Sequence, residues 1–131
     1  MLTAEAIMTN ELVTIGPEAS ITDAIDLLIS KSISGLPVVD HQGHLVGVIT
    51  EFAMLAMVYD HEVRSQTVGQ HMTREVITVD ADDPVSRIAD LCIVHRVRRL
   101  PVMRAGRLVG LIARRDVLKA LYQDSEKVCL A

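Results

Sequence analysis

Two stretches of this chain are copies of one another, which restricts it to a fold built twice. Thr3, Met8, Thr9, Glu11 and Thr14 recur as Thr67, Met72, Thr73, Glu75 and Thr78. Asp26, Leu27, Ile29, Leu36, Pro37 and Val38 recur at the same spacing as Asp90, Leu91, Ile93, Leu100, Pro101 and Val102. One residue is then lost from a turn, after which Gly43, Leu45, Val46, Gly47, Ile49 and Leu55 recur as Gly106, Leu108, Val109, Gly110, Ile112 and Leu118. Matches spread over the full length of both stretches indicate a tandem duplication, residues 3–60 and 67–123, with 61–66 as connector and 124–131 as a C-terminal tail. At 131 residues the chain suits one compact domain or two small halves sharing a core.

Each copy reads as β-α-β-β-α. A short helical turn ends at Met8 or Met72, and a brief strand follows, Leu12 to Ile15 or Val76 to Val79, rich in β-branched residues. Ser20 is placed to cap the next helix, with Asp23 in its first turn. In the second copy Asp83 is the expected cap and Pro84 the first helical residue. Ile21, Ala24, Ile25 and Leu28 share one helical face, repeated by Val85, Ile88, Ala89 and Cys92. Two apolar runs then form a hairpin, Leu36 to Val39 with Leu45 to Thr50, and Leu100 to Met103 with Leu108 to Ala113. A last helix closes each copy, near Glu51 to Tyr59 and Arg114 to Tyr122, and His61 to Gln70 reads as a polar connector.

The closing helix of the first copy, Phe52-Ala53-Met54-Leu55-Ala56-Met57-Val58-Tyr59, is apolar on every side. Such a helix is buried all round or covered by a partner. A small chain has little core to enclose it. A homodimer through apolar helices including Phe52, Leu55, Met57 and Tyr59 is therefore expected, with a helix wholly inside the monomer as the alternative.

Phe52, Tyr59 and Tyr122 are the only aromatic residues, so the core must be Ile, Leu, Val, Ala and Met. The net charge of −4 counts against a general nucleic-acid binder. The positive charge is uneven, however: Arg96, Arg98, Arg99, Arg104, Arg107, Arg114 and Arg115 share one short window around the strand at Leu100. Cys92 and Cys129 do not suggest a disulfide framework, so a cytoplasmic setting is expected. Met1 to Met8 carries Glu5 and no basic side chain, unlike a signal peptide. No apolar run approaches the roughly 20 residues that span a bilayer, so no membrane association is expected. The five histidines are scattered, and neither a nucleophile elbow nor a glycine-rich phosphate loop occurs. These readings predict no catalytic residues, no metal site, no required cofactor and no enzyme activity.

The repeat resembles the CBS (cystathionine-β-synthase) domain, and the tandem is similar to a Bateman module. The residues that carry the resemblance are Ile7-Met8-Thr9 and His71-Met72-Thr73, then Val13-Thr14-Ile15 and Ile77-Thr78-Val79. Gly35-Leu36-Pro37-Val38-Val39 and Arg99-Leu100-Pro101-Val102 follow, and last Val46-Gly47-Val48-Ile49-Thr50 and Val109-Gly110-Leu111-Ile112-Ala113. The resemblance implies an α/β fold of two β-α-β-β-α repeats about a pseudo-two-fold axis, with central strands and helices outside. It also implies clefts between the repeats for adenosine-containing ligands, and flat dimers formed through helices.

The family's ribose and phosphate motif, Gly-h-h-Thr/Ser-x-x-Asp with h apolar, has a physical rationale. A helix start attracts phosphate, and a nearby carboxylate can accept from ribose hydroxyls. Here the motif is split. Gly47-Val48-Ile49-Thr50-Glu51-Phe52-Ala53 keeps the threonine and lacks the aspartate; Gly110-Leu111-Ile112-Ala113-Arg114-Arg115-Asp116 keeps Asp116 and lacks the threonine. Arg98 and Arg99 stand where the resemblance places phosphate-facing side chains, and arginine donates to phosphate in pairs. The second cleft, with Thr78, Arg98, Arg99, Leu100, Pro101, Arg114, Arg115 and Asp116, is the preferred nucleotide site. The first, with Thr14, Gly35, Leu36, Pro37 and Thr50, is expected to be empty or weaker. Asp116 as a helix-start charge, the arginines as solvated cations paired with Asp82, Asp83 and Glu75, and the threonines as ordinary strand residues are the plain structural alternatives. Arg104 and Arg107, beside the hairpin turn, are read as solvated.

The expected function is a regulatory module that senses an adenine nucleotide such as AMP, ADP or ATP and reports to a downstream effector protein. A structural dimerisation scaffold with degenerate clefts is the alternative, and the split motif favours it. Nucleic-acid binding through the Arg96–Arg115 cluster is a third reading, opposed by the acidic total and the scarcity of aromatics for base stacking.

Overall fold

The computed structural model describes residues 1–130, with side chains through Asp124. It is a mixed α/β fold of twelve elements. The helices are α1 (Ala4–Ile7), α2 (Ile21–Ser30), α3 (Glu51–Met57), α4 (His61–Arg64), α5 (Val68–His71), α6 (Val85–His95) and α7 (Arg114–Leu130). The strands are β1 (Gly35–Val39), β2 (Leu45–Thr50), β3 (Val79–Asp80), β4 (Arg99–Arg104) and β5 (Arg107–Ala113). They group into two compact units: a continuous one, Val13–Val76, and a split one, Met1–Leu12 with Ile77–Ala131. The opening segment of each sequence repeat thus belongs to the unit built on the other repeat's hairpin.

The continuous unit has a two-stranded antiparallel sheet, β1-β2, and the split unit a three-stranded sheet, β3-β4-β5, whose first pair is parallel and second antiparallel. Both hairpins slip register at the same place, between Val38 and Val39 and between Val102 and Met103. Each slip leaves one extra residue, Val46 or Val109, which turns toward its core. The cores repeat as well. Ile21, Leu36, Val38, Ile49 and Val68 are enclosed in one, and Val85, Ile88, Leu100, Val102 and Ile112 in the other.

The brief first strand is shorter than its β-branched composition predicts. In the continuous unit it shrinks to one parallel bridge, Ile15 to Val38, and in the split unit it begins only at Val79. Pro37 and Pro101 explain both. Ile15 N–H donates to the Pro37 carbonyl at 3.1 Å and Val39 N–H to the Ile15 carbonyl at 2.9 Å. The next bond in a parallel ladder would need an N–H from Pro37 to the Val13 carbonyl, and proline has none. Pairing therefore stops just after Thr14 and Thr78.

Ser20 caps α2 as expected, its hydroxyl accepting from Asp23 N–H at 3.1 Å. Asp83 does not cap α6. Its carboxylate accepts from Asp80 N–H at 2.8 Å in the preceding turn, and Pro84 takes the cap position without a side-chain bond. The polar stretch 61–70 carries α4 and α5, and Val68 of α5 is wholly buried. α3 ends at Met57, earlier than its apolar run suggests, and α7 runs past Tyr122 to Leu130. The side chain of Cys129, and Ala131, lie outside the described residues.

Each Met-Thr signature forms a clasp within its unit. Thr9 N–H donates to the Leu111 carbonyl and Leu111 N–H to the Thr9 carbonyl, both at 2.9 Å. Thr73 and Val48 exchange the same pair of bonds, also at 2.9 Å. The side chains of Met8 and Met72 lie over Gly110 and Gly47. A methyl group built on Gly47 would stand 2.6 Å from Met72 Sδ and 2.8 Å from the Thr73 carbonyl oxygen, and one on Gly110 would collide with Met8 Sδ. Ala4 is fully enclosed, and Arg104 grips Glu5 with two bonds, at 2.7 and 3.2 Å, so Arg104 is ion-paired and not merely solvated.

Gly47→Ala and Gly110→Ala should each destabilise the protein by about 1–3 kcal/mol, the usual cost of overpacking. Denaturant unfolding measures this, and an unchanged midpoint would mean that the methionine yields freely. The Arg104 hydrogen bond and charge hold the Glu5 carboxyl below its ordinary range. A carboxyl with a lowered folded-state value stabilises above its unfolded value and loses that contribution as pH falls through the folded one. Unfolding of Glu5→Gln against pH should therefore show a deficit at neutral pH that closes in acid; a pH-independent difference would remove the ion pair as its cause.

Candidate functional site

Parallel β3 and β4 start at the same end of the split unit's sheet, and antiparallel β5 finishes there. This end gathers Thr78 just before β3, Arg98 and Arg99 at the start of β4, and Arg114, Arg115 and Asp116 in the first turn of α7. Arg99 pairs with Ala113 across the ladder, and Arg114 N–H donates to the Arg98 carbonyl at 2.8 Å, tying the helix start to the strand start. Thr78 and all five charged residues are exposed. Leu100 and Pro101 are buried, and Leu100 belongs to the core, so its side chain is committed to packing.

The charge at this end is strongly positive. Among the described residues no carboxylate lies within ion-pair distance of Arg114 or Arg115. Of the carboxylates expected to pair with the cluster, Asp83 pairs with Arg87 at 3.7 Å, outside it, and Asp82 lies 3.7 Å from Arg104, at the far end of β4. Ala113, the residue before α7, has no side-chain oxygen to occupy the helix's first N–H groups. A helix start in that condition favours an anion, and the arginine side chains strengthen the preference.

The equivalent end of the continuous unit is arranged alike and charged differently. Thr14 precedes the bridge at Ile15, Gly35 starts β1, and Glu51 N–H donates to the Ser34 carbonyl at 2.9 Å. Leu36 and Pro37 are buried. The Thr50 hydroxyl accepts from Ala53 N–H at 3.2 Å, capping α3. The first turn of α3 carries Glu51, where its counterpart carries arginines. The two halves of the split motif thus have different physical consequences: Thr50 caps one helix start with its hydroxyl, and Ala113 has no side-chain oxygen to offer the other.

Beneath the split unit's helices, Cys92 is buried, and burial pushes its thiol above the ordinary value. Among the described residues no cluster of three or more His, Cys, Asp or Glu could hold a metal ion. No described helix is long and apolar enough to cross a membrane. Signature residues whose role the sequence did not disclose are Met8, Thr9, Met72 and Thr73. The repeated glycine at Gly47 and Gly110 was the available signal for a close approach.

With two repeats of this topology, a strand-to-helix junction at each sheet end and paired Met-Thr clasps, the chain has the architecture of a CBS pair. It belongs to the CBS domain family, whose family model matches residues 4–60 and 68–123. It is 34% identical over 117 residues to inosine-5′-monophosphate dehydrogenase of Methanocaldococcus jannaschii, a match covering 88% of this chain and 23% of that enzyme. The chain spans less than two thirds of the length of the curated relatives it matches. Among solved structures it is similar to CBSX2 in complex with AMP, at 31% identity and TM-score 0.85, covering 95% of this chain and 99% of that one. CBSX2 is from Arabidopsis thaliana. It is also similar to the CBS domain pair of protein MJ0100 in complex with 5′-methylthioadenosine and S-adenosyl-L-methionine, at 28% identity and TM-score 0.81, covering 95% and 98%.

Removing the Thr50 cap with Thr50→Ala should cost about 1 kcal/mol, and supplying one with Ala113→Thr should stabilise by up to about the same amount. Denaturant unfolding of the two variants tests the contrast. An Ala113→Thr variant no more stable than the wild type would mean that the start of α7 gains nothing from a side-chain cap.

Proposed function

We propose that this CBS pair is a regulatory module that binds an adenosine-containing ligand at the sheet end of the split unit. The observation that carries the reading is the start of α7, which follows an alanine and is set among Arg98, Arg99, Arg114 and Arg115, with Asp116 in its first turn. Arg98 and Arg99 serve the phosphate, and the Asp116 carboxylate accepts from ribose hydroxyls. Thr78, released from the sheet by Pro101, offers a further hydroxyl, while Leu100 and Pro101 contribute main chain at the start of β4, the Leu100 side chain staying in the core. The AMP complex of CBSX2 and the adenosine-ligand complex of MJ0100 support an adenosine moiety as the common element. At the continuous unit, Thr14, Gly35, Leu36, Pro37 and Thr50 make a weaker site, because Thr50 is already bonded and Ala53 offers no carboxylate.

The module acts as a cytoplasmic homodimer and reports to an effector protein, and it performs no catalysis itself. Phe52 is 83% exposed, Leu55 66% and Tyr59 88%, with Met57 partly packed against the core, so α3 presents an apolar face to a partner. Signalling requires that the ligand bind one conformation or dimer geometry better than the other. A second reading, a scaffold without ligand, is favoured by the same split motif.

Thermal unfolding against AMP, ADP, ATP, S-adenosylmethionine, NAD and GTP separates them. A ligand at 100 times its dissociation constant should add about 2.7 kcal/mol. Arg99→Ala should abolish that gain, and Asp116→Ala should reduce it for ribose-bearing ligands. No response to any of the six would establish the scaffold reading.

A further inference from the structure

The two opening segments dock through the same main-chain bonds. In the split unit Ala4 N–H donates to the Asp83 carbonyl at 2.8 Å, Glu5 N–H to the Ala81 carbonyl at 3.0 Å, and Val85 N–H to the Leu2 carbonyl at 3.1 Å. In the continuous unit Val68 N–H donates to the Ala19 carbonyl at 2.7 Å, Gly69 N–H to the Pro17 carbonyl at 2.8 Å, and Ile21 N–H to the Gln66 carbonyl at 2.9 Å. With the exchanges of Thr9 with Leu111 and Thr73 with Val48, the backbone offers each segment two equivalent grooves. Thr9 is also nearer in sequence to Val48 than to Leu111, so loop closure alone favours docking on its own repeat. The choice has to come from side chains that diverged.

They diverge in size and in charge. Ala4 and Val68 hold corresponding places and both are fully enclosed, so exchanging them would overpack one core and leave a void in the other. Glu5 corresponds to Gly69, and Arg104 to Asp40. Arg104 donates to Glu5 twice. In the other groove Glu5 would face Asp40, whose carboxylate is fixed in its turn by Gln42 and His44 N–H, each at 2.9 Å. That groove is also tight at the same position: a methyl group on Gly69 would stand 3.1 Å from the Pro17 carbonyl oxygen and 3.3 Å from Pro17 Cβ.

We propose that the Glu5–Arg104 pair, with the unequal volumes of Ala4 and Val68, assigns each opening segment to its groove. The split unit selects a small residue followed by an acid, and the continuous unit selects valine followed by glycine and rejects an acid. Attraction in one groove and repulsion in the other discriminate where the shared backbone bonds do not.

Disulfide competition in the full chain tests this. With Cys92→Ala and Cys129→Ser as background, Thr9→Cys, Val48→Cys and Leu111→Cys let position 9 join either 111 or 48. Residues that exchange both bonds across antiparallel backbone lie about 5.5 Å apart at Cα, which suits a disulfide. After unfolding, reduction and refolding in glutathione buffer, peptide mapping should find 9–111 in large excess over 9–48. Glu5→Arg, repelled by Arg104 and attracted by Asp40, should lower that ratio about tenfold, and adding Arg104→Glu should restore most of it. A Glu5→Arg chain that loses stability to urea while keeping the ratio would overturn the proposal, leaving the pair a stabilising contact only. Should circular dichroism show that Glu5→Arg does not refold, Glu5→Gln replaces it: a ratio lowered about threefold supports the assignment, and an unchanged one overturns it.

Discussion

The whole fold depends on two places where a threonine backbone lies flat against a glycine. Thr9 exchanges two hydrogen bonds with Leu111, and Thr73 exchanges two with Val48. The opening segment can come this close only because Gly110 and Gly47, next along the strands, carry no side chain, and Met8 and Met72 fill the space. The result is reciprocal. Residues 1–12 complete the unit built on the second repeat's hairpin, and the segment through Val76 completes the unit built on the first's. Neither sequence repeat is therefore a finished compact unit. The Thr9–Leu111 pairing closes a loop of most of the chain, and its entropic cost is met only when both repeats are present.

A second constraint follows from Pro37 and Pro101. Each removes the donor that would extend the parallel ladder backward, so Thr14 and Thr78 stand outside the sheet at the end where the hairpin runs into its closing helix. The same backbone is thus produced twice, with a hydroxyl, a strand start and a helix start brought together by main-chain bonds. What differs is chemistry at a few side chains. The Thr50 hydroxyl caps its helix start, while Ala113 carries no side-chain oxygen and arginines stand around the start that follows it. The divergence of the two ends is electrostatic and local, and it requires no difference in fold.

Much of the architecture was legible because the duplication let each half check the other. The helix faces and the hairpins follow from spacing, and the split motif from the family resemblance. Three features were hidden for identifiable reasons. The short first strands reflect a missing proline donor, an effect that strand propensity does not contain. The helices α4 and α5 in the polar 61–70 stretch are stabilised locally, by the Asp60 carboxylate accepting from Glu62 and Val63 and by Gln70 accepting from Thr67 N–H. Such capping overrides a low apolar content. The exchange of opening segments is a matter of which unit a segment joins, and two copies of one pattern are indifferent to that choice. At the candidate site the charged residues could be named from sequence. That Leu100 is core and Thr50 already bonded could not, because both depend on packing.

Duplication also creates a specificity problem that the side chains address. Two identical halves would offer two identical helix faces, and a second copy could dock on either with equal affinity. Once Glu51 and Phe52 occupy one closing helix and Arg114 and Arg115 the other, the two faces are no longer equivalent. The apolar residues shared by both faces, Leu55 with Leu118 and Tyr59 with Tyr122, can supply non-directional burial alike, so what sets the two faces apart is the chemistry at the start of each closing helix, Glu51 and Phe52 on one and Arg114 and Arg115 on the other.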